Sequence, residues 1–73
     1  MVSIQVKSTV IYWLEKRVEV TSLSGEKRNL ALDKDIQVTM VGHPNREQKS
    51  MQAQDLDSYL TRGYIIEQID FEE

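Results

Sequence analysis

His43 is the only histidine, and the chain has no cysteine. A serine or cysteine nucleophile needs a neighbouring base, and that base needs an orienting carboxylate. His43 instead stands in Gly42-His43-Pro44-Asn45, a run of turn-forming residues in which a polar ring fits as a turn residue. No Gly-x-Ser-x-Gly elbow occurs. A zinc site takes three or four ligands at characteristic spacing, and one histidine without cysteine does not make one. Asp33-Lys34-Asp35 has a fragment of a calcium loop but lacks its glycine and its bidentate glutamate. Asp55 and Asp57, two apart on a helix, point to different faces. Gly25, Gly42 and Gly63 stand singly and far apart, so there is no phosphate-cradling loop. These residues describe a non-enzymatic chain for which no catalytic group, cofactor or metal is expected.

Binding chemistry has more material. Basic residues come as Lys16-Arg17 and Lys27-Arg28, with Arg46 and Lys49 later. In an up-and-down meander successive turns lie at opposite ends. Lys27, Arg28, His43 and Arg46 are therefore expected to gather at one pole, a contact for phosphate or an acidic partner. Glu26 and Glu47 stand among these bases, so a solvated, charge-mixed loop end competes with that reading. Lys16 and Arg17 would lie at the opposite pole, near Asp33 and Asp35. Tyr12, Trp13 and Tyr64 are interface candidates, because aromatic side chains concentrate binding energy. For Trp13 a core role is the competing assignment. Unpaired sheet edges, at the N-terminal segment or at Gln48 to Met51, offer strand addition by a partner or a second copy.

The elements that must position these groups are short. The chain has 73 residues, 40% of them hydrophobic, and a net charge of −3 from nine Lys/Arg and twelve Asp/Glu. This is a single small domain, 1–73, which buries only about 60% of the surface of its unfolded chain. The mild negative charge argues against a broad grip on DNA. No apolar run approaches the roughly 20 residues of a membrane helix. The N-terminus lacks the basic start and apolar stretch of a signal peptide, so a cytoplasmic location is expected.

Ser3 to Lys7 alternates polar and apolar, the period of a half-buried strand. Val10 to Leu14 does not alternate. Its β-formers favour strand, and a short helix capped by Ser8 is the alternative. A bend at Glu15-Lys16 follows. Arg17 to Thr21 alternates, Ser24-Gly25 signals a hairpin, and Asn29 to Leu32 returns. After the turn at Asp33 to Asp35, Ile36, Val38 and Met40 share one strand face, so the middle of the chain reads as a meander. Arg46 to Ala53 reads as a strand, Gln48 to Met51, paired back on Ile36 to Met40. A helix begun by an Asn45/Gln48 capping box competes with it. Leu56, Tyr59 and Leu60 form a helical stripe, Gly63 is the stop, and Tyr64 to Phe71 is the last strand. Its alternation puts Ile65, Ile69 and Phe71 on one face, and Tyr64 and Ile66 outward. The expected fold is α+β: an antiparallel sheet of four or five strands with one short helix, about 54–62, on one face.

The pattern Met40-Val41-Gly42-His43-Pro44, then Met51, Asp55-Leu56, Tyr59-Leu60 and Gly63-Tyr64 resembles one found in many small phage-encoded accessory proteins. The resemblance identifies no single family and transfers no functional residue. It implies an accessory or inhibitor protein that acts by binding, in a particle or on a host component. The expected function is a protein-interaction module acting on a larger protein or as a homo-oligomer, through Tyr12, Trp13, Tyr64 and Ile66. The alternative is a nucleic-acid-associated regulator using Lys27, Arg28 and Arg46.

Overall fold

A computed structural model describes residues 1–42 and 45–73. His43 and Pro44 lie outside the described residues, and so does the expectation placed on His43. Among the described residues there are six strands: β1 (Val2–Tyr12), β2 (Arg17–Ser22), β3 (Lys27–Ala31), β4 (Asp35–Val41), β5 (Arg46–Gln52) and β6 (Ile65–Phe71). One 3-10 turn (Ala53–Asp55) leads into a short helix, α1 (Leu56–Thr61). The α+β class holds, with one or two strands more than the alternation suggested. Val10, Ile11 and Tyr12 belong to strand, but Trp13 and Leu14 form the turn that follows.

The strands form one antiparallel sheet in the order β3-β2-β1-β6-β4-β5. The meander expectation is corrected here. β2 and β3 form a hairpin, but β4 does not lie beside β3; it pairs with β5 and β6. The N-terminal strand is interior, between β2 and β6, so the sheet edges are β3 and β5. The first half of β1 pairs with β6 and the second half with β2. One continuous core spans both halves, from Val18, Val20 and Leu30 to Ile36, Val38, Met40 and Ile69.

Two bulges shape the sheet. Val6 pairs with Ser22 and Ser8 with Thr21, which leaves Lys7 as an extra residue in β1. Thr39 pairs with Gln68 and Met40 with Ile66, which leaves Glu67 extra in β6. A bulge shifts the side-chain alternation by one and bends its strand. Ile4 and Val6 therefore point inward, while beyond Lys7 it is Val10 that faces out, 44% exposed. The face assignment in β6 is corrected for the same reason: Ile66 joins the core at 6% exposure and Ile65 lies outside at 65%.

The helix ends as its sequence indicated. Gly63 adopts φ of 89°, and the last turn closes by Gly63 N–H to Leu60 C=O (3.1 Å) and Tyr64 N–H to Tyr59 C=O (3.0 Å). This is the Schellman arrangement. The Tyr59 and Tyr64 rings meet edge to face at 5.4 Å, fixing the entry to β6. Tyr64 also lies against Gly42, where an added Cβ would come within 2.8 Å of its Cδ2 and Cζ. Gly42 is thus required by a close approach. At the start of the helix the Asp55 carboxylate accepts from the Gln52 N–H at 3.1 Å.

Leu56 is fully buried, whereas Tyr59 and Leu60 are partly buried against the core. Leu56→Ala should cost about 3–5 kcal/mol and Leu60→Ala about half as much, in urea unfolding. Gly42→Ala should cost about 1–3 kcal/mol by forcing the Tyr64 ring aside.

Candidate functional site: an exposed hairpin tip and a polar sheet face

The β1–β2 connection is four residues, Trp13 to Lys16, closed by the Tyr12/Arg17 pair. Lys16 N–H donates to Trp13 C=O at 3.2 Å, and Lys16 takes φ of 54°, a left-handed conformation that completes the reversal. Leu14 is 100% exposed and Trp13 is 50% exposed. Below them Arg17 anchors the hairpin. Its guanidinium lies 4.1 Å from the centre of the Tyr12 ring. It donates to Asn29 Oδ1 (2.6 Å), Glu15 Oε1 (3.1 Å) and Glu19 Oε2 (3.4 Å). The Glu15 hydrogen bond is the main cause that raises the Arg17 pKa further, so the anchor stays charged. The result is an apolar tip on a braced stem.

Lys27, Arg28 and Arg46 each face a carboxylate. Lys27 stands 3.9 Å from Glu19, Arg46 Nε 2.9 Å from Glu67, and Arg28 2.5 Å from Glu73. Arg28 borders a depression with Leu30 and Phe71, while Arg46 borders a different one with Leu23 and Ile65. The pole of Lys27, Arg28 and Arg46 is therefore resolved into separate ion pairs. Arg17 pairs with Ala31, at the end of β3 from which Leu32 to Lys34 depart, as the expected second pole has it, and its guanidinium donates to Glu15, Glu19 and Asn29. The hydrogen bond from Arg28 is the first cause that holds the Glu73 carboxyl below the usual carboxylate range.

The outer face of the β1-β6-β4-β5 half is of another kind. Register places Ser3, Asp70, Gln37 and Ser50 in one row across four strands, and Gln5, Gln68, Thr39 and Gln48 in the next. Only Asp70 is charged. It is 7% exposed, and the Gln68 amide donates to both its carboxylate oxygens at 3.0 and 3.3 Å. A depression of about 530 Å³ at one end of this face is bordered by Asp35, Asp55, Asp70 and Glu72. Another of about 480 Å³, at the Arg46 end, is bordered by the exposed Leu23 and Ile65.

Of the residues singled out from sequence, Tyr12 and Trp13 lie together at the hairpin. Tyr64 is committed to Tyr59 and Gly42, and Ile66 is in the core, so the expected outward pair Tyr64/Ile66 does not form. Leu14, expected in strand, and Ile65, expected on the inner face, are instead exposed apolar residues, as is Leu23. The signal for Leu14 was present: Trp13 to Lys16 is a four-residue link between two strand patterns. Among the described residues no group of His, Cys, Asp and Glu is placed to hold a metal ion, and no helix is long and apolar enough to cross a membrane. The chain matches no protein family, no curated protein and no solved structure.

Arg17→Ala should free the tip: Trp13 fluorescence anisotropy falls and amide exchange across 12–17 quickens, while the core amides of β4 and β6 keep their protection. For the Arg28–Glu73 pair the folded pKa is depressed. Its contribution is complete above the unfolded value near 4.5 and is lost as pH falls through the folded one. Glu73→Gln should slightly lower stability at neutral pH and leave it unchanged in strong acid. The difference should shrink in high salt, because the pair is exposed.

Proposed function

We propose that this chain is a non-enzymatic protein-interaction module that presents Trp13 and Leu14 to a partner protein. The observation that carries the reading is the braced tip. Leaving a large apolar side chain in water forgoes about 1.5–3 kcal/mol per residue. A disordered loop could hide such side chains against its own surface. Here the Lys16 turn and the Arg17 anchor hold them outward. Rigid aromatic and aliphatic anchors filling a partner's pocket are what carry most interface energy. Tyr12, stacked under Arg17, supports the tip from below. An accessory or inhibitor role of phage type rests on the resemblance alone. A nucleic-acid role through Lys27, Arg28 and Arg46 has less support, since each of these bases faces a carboxylate.

The test compares the wild-type chain with Trp13→Ser/Leu14→Ser, whose substitutions touch only exposed positions. The wild type should retain a protein from its native cell extract that the double variant does not. Titrating that purified protein should shift the emission of Trp13, the only tryptophan, to shorter wavelength. Identical retention by both chains, or an unmoved emission spectrum, would refute the reading.

A further inference from the structure

We infer that β5 is a self-association edge: two copies of this chain pair β5 with β5, antiparallel, about a twofold axis at Gln48. The inference uses neither Trp13 nor Leu14. Among the described residues no strand pairs with β5 on the side away from β4. The helix does not seal that side. A depression of about 320 Å³ lies between Ser50 and Met51 of β5 and Ser58, Tyr59 and Arg62 of the helix and its end.

The register says which backbone groups are open. Gly42 N–H donates to Asn45 C=O at 3.0 Å, and the β4–β5 register continues from there without a shift. Antiparallel residue pairs alternate between those that exchange hydrogen bonds and those that do not. Glu47, Lys49 and Met51 therefore bond to β4, while Arg46, Gln48, Ser50 and Gln52 turn their N–H and C=O groups outward. Gln52 fits this parity, because its N–H goes to the Asp55 carboxylate and not to β4. Arg46, Gln48 and Ser50 are left as an open ladder, the template for strand addition.

Charge selects the occupant and the register. Glu47 and Lys49 lie opposite Met40 and Val38, on the core side of the sheet. Inward-pointing charges of this kind guard an edge against most strands. A second copy is different, because each chain carries both signs two residues apart, with Lys49 Nζ 3.9 Å from Glu47 Oε2. An axis at Gln48 sets Glu47 of each copy opposite Lys49 of the other. That is a pair without backbone bonds, in which side chains approach most closely. The same axis matches Gln48 with Gln48 and Arg46 with Ser50, so the open ladder is filled. Axes at Arg46, Glu47 or Lys49 would oppose like charges. An axis at Ser50 would need the Gln52 N–H that Asp55 already holds. A twofold pair also closes, since each β5 edge is used up by the other.

Strand addition draws on backbone hydrogen bonds more than on area, so a concentration-dependent dimer is expected. Sedimentation from micromolar to millimolar concentration should show it. Over the same range the amides of Gln48 and Ser50 should gain protection from hydrogen exchange. Lys49→Glu and Glu47→Lys, each opposing like charges twice, should each weaken the dimer by about tenfold or more with the melting curve kept. Mixed together, these two variants should pair with each other, because every opposed position is then of opposite sign. Gln48→Pro should abolish the dimer; its N–H faces away from β4, so the fold does not need it. Should that variant unfold, the mixing experiment decides alone. Trp13→Ser/Leu14→Ser should leave the dimer unchanged, so the tip and the edge are tested apart. A monomer at every concentration would overturn the inference. So would unchanged exchange at Gln48 and Ser50, a dimer indifferent to Lys49→Glu, charge variants that fail to pair when mixed, or a dimer lost with the tip variant.

Discussion

The constraint on which the structure depends is the length of one connection. β3 and β4 are joined by only Leu32 to Lys34, yet three strands separate them in the sheet. In a flat sheet their centres would lie four spacings apart, about 19 Å. The steps from Ala31 to Asp35 reach at most about 14 Å. The sheet has to curl until its far sides approach. Lys7 and Glu67 supply the bend, as bulges in the neighbouring strands β1 and β6. The connection is then held where it lands. Ala53 N–H donates to Lys34 C=O and Gln54 N–H to Leu32 C=O, each at 2.9 Å, tying the β3–β4 turn to the 3-10 segment. Curling is what lets so short a chain enclose a single core from two half-sheets.

This same bend decides what the surface looks like. Without the Lys7 bulge, Val10 and Tyr12 would continue the inward face of Ile4 and Val6. With it they turn outward, and Arg17 covers Tyr12. Without the Glu67 bulge, Ile65 would be inside and Ile66 outside. The exposure of Val10 and Ile65 is thus a consequence of closing the core.

Much of the fold was legible because it rests on local chemistry. Gly63 and the Leu56/Tyr59/Leu60 stripe marked the helix and its stop, and Ser24-Gly25 marked the β2–β3 hairpin. Ile36, Val38 and Met40 marked a strand with one buried face, and the Gln48 to Met51 strand does return on it. What was not legible is non-local. A three-residue link between strand patterns reads as a hairpin, and nothing in Leu32-Asp33-Lys34 says that β4 will cross to the far half. A bulge is hidden too, since alternation resumes on both sides of it with the opposite phase. That one-residue slip moved Ile66 from the candidate surface into the core. The row of Ser3, Asp70, Gln37 and Ser50 is non-local as well, since only the strand register aligns it.

The exposed tip is small, and this bears on any contact made through it. The Trp13 and Leu14 side chains offer little area, and association forfeits several kcal/mol of translational and rotational freedom before any contact is counted. Ordering flexible side chains on contact adds to that cost. The Lys16 turn and the Arg17 contacts to Tyr12 and Asn29 hold the hairpin end in one conformation beforehand, which lowers this second cost but not the first. A contact restricted to this tip is therefore weak unless neighbouring surface is buried with it.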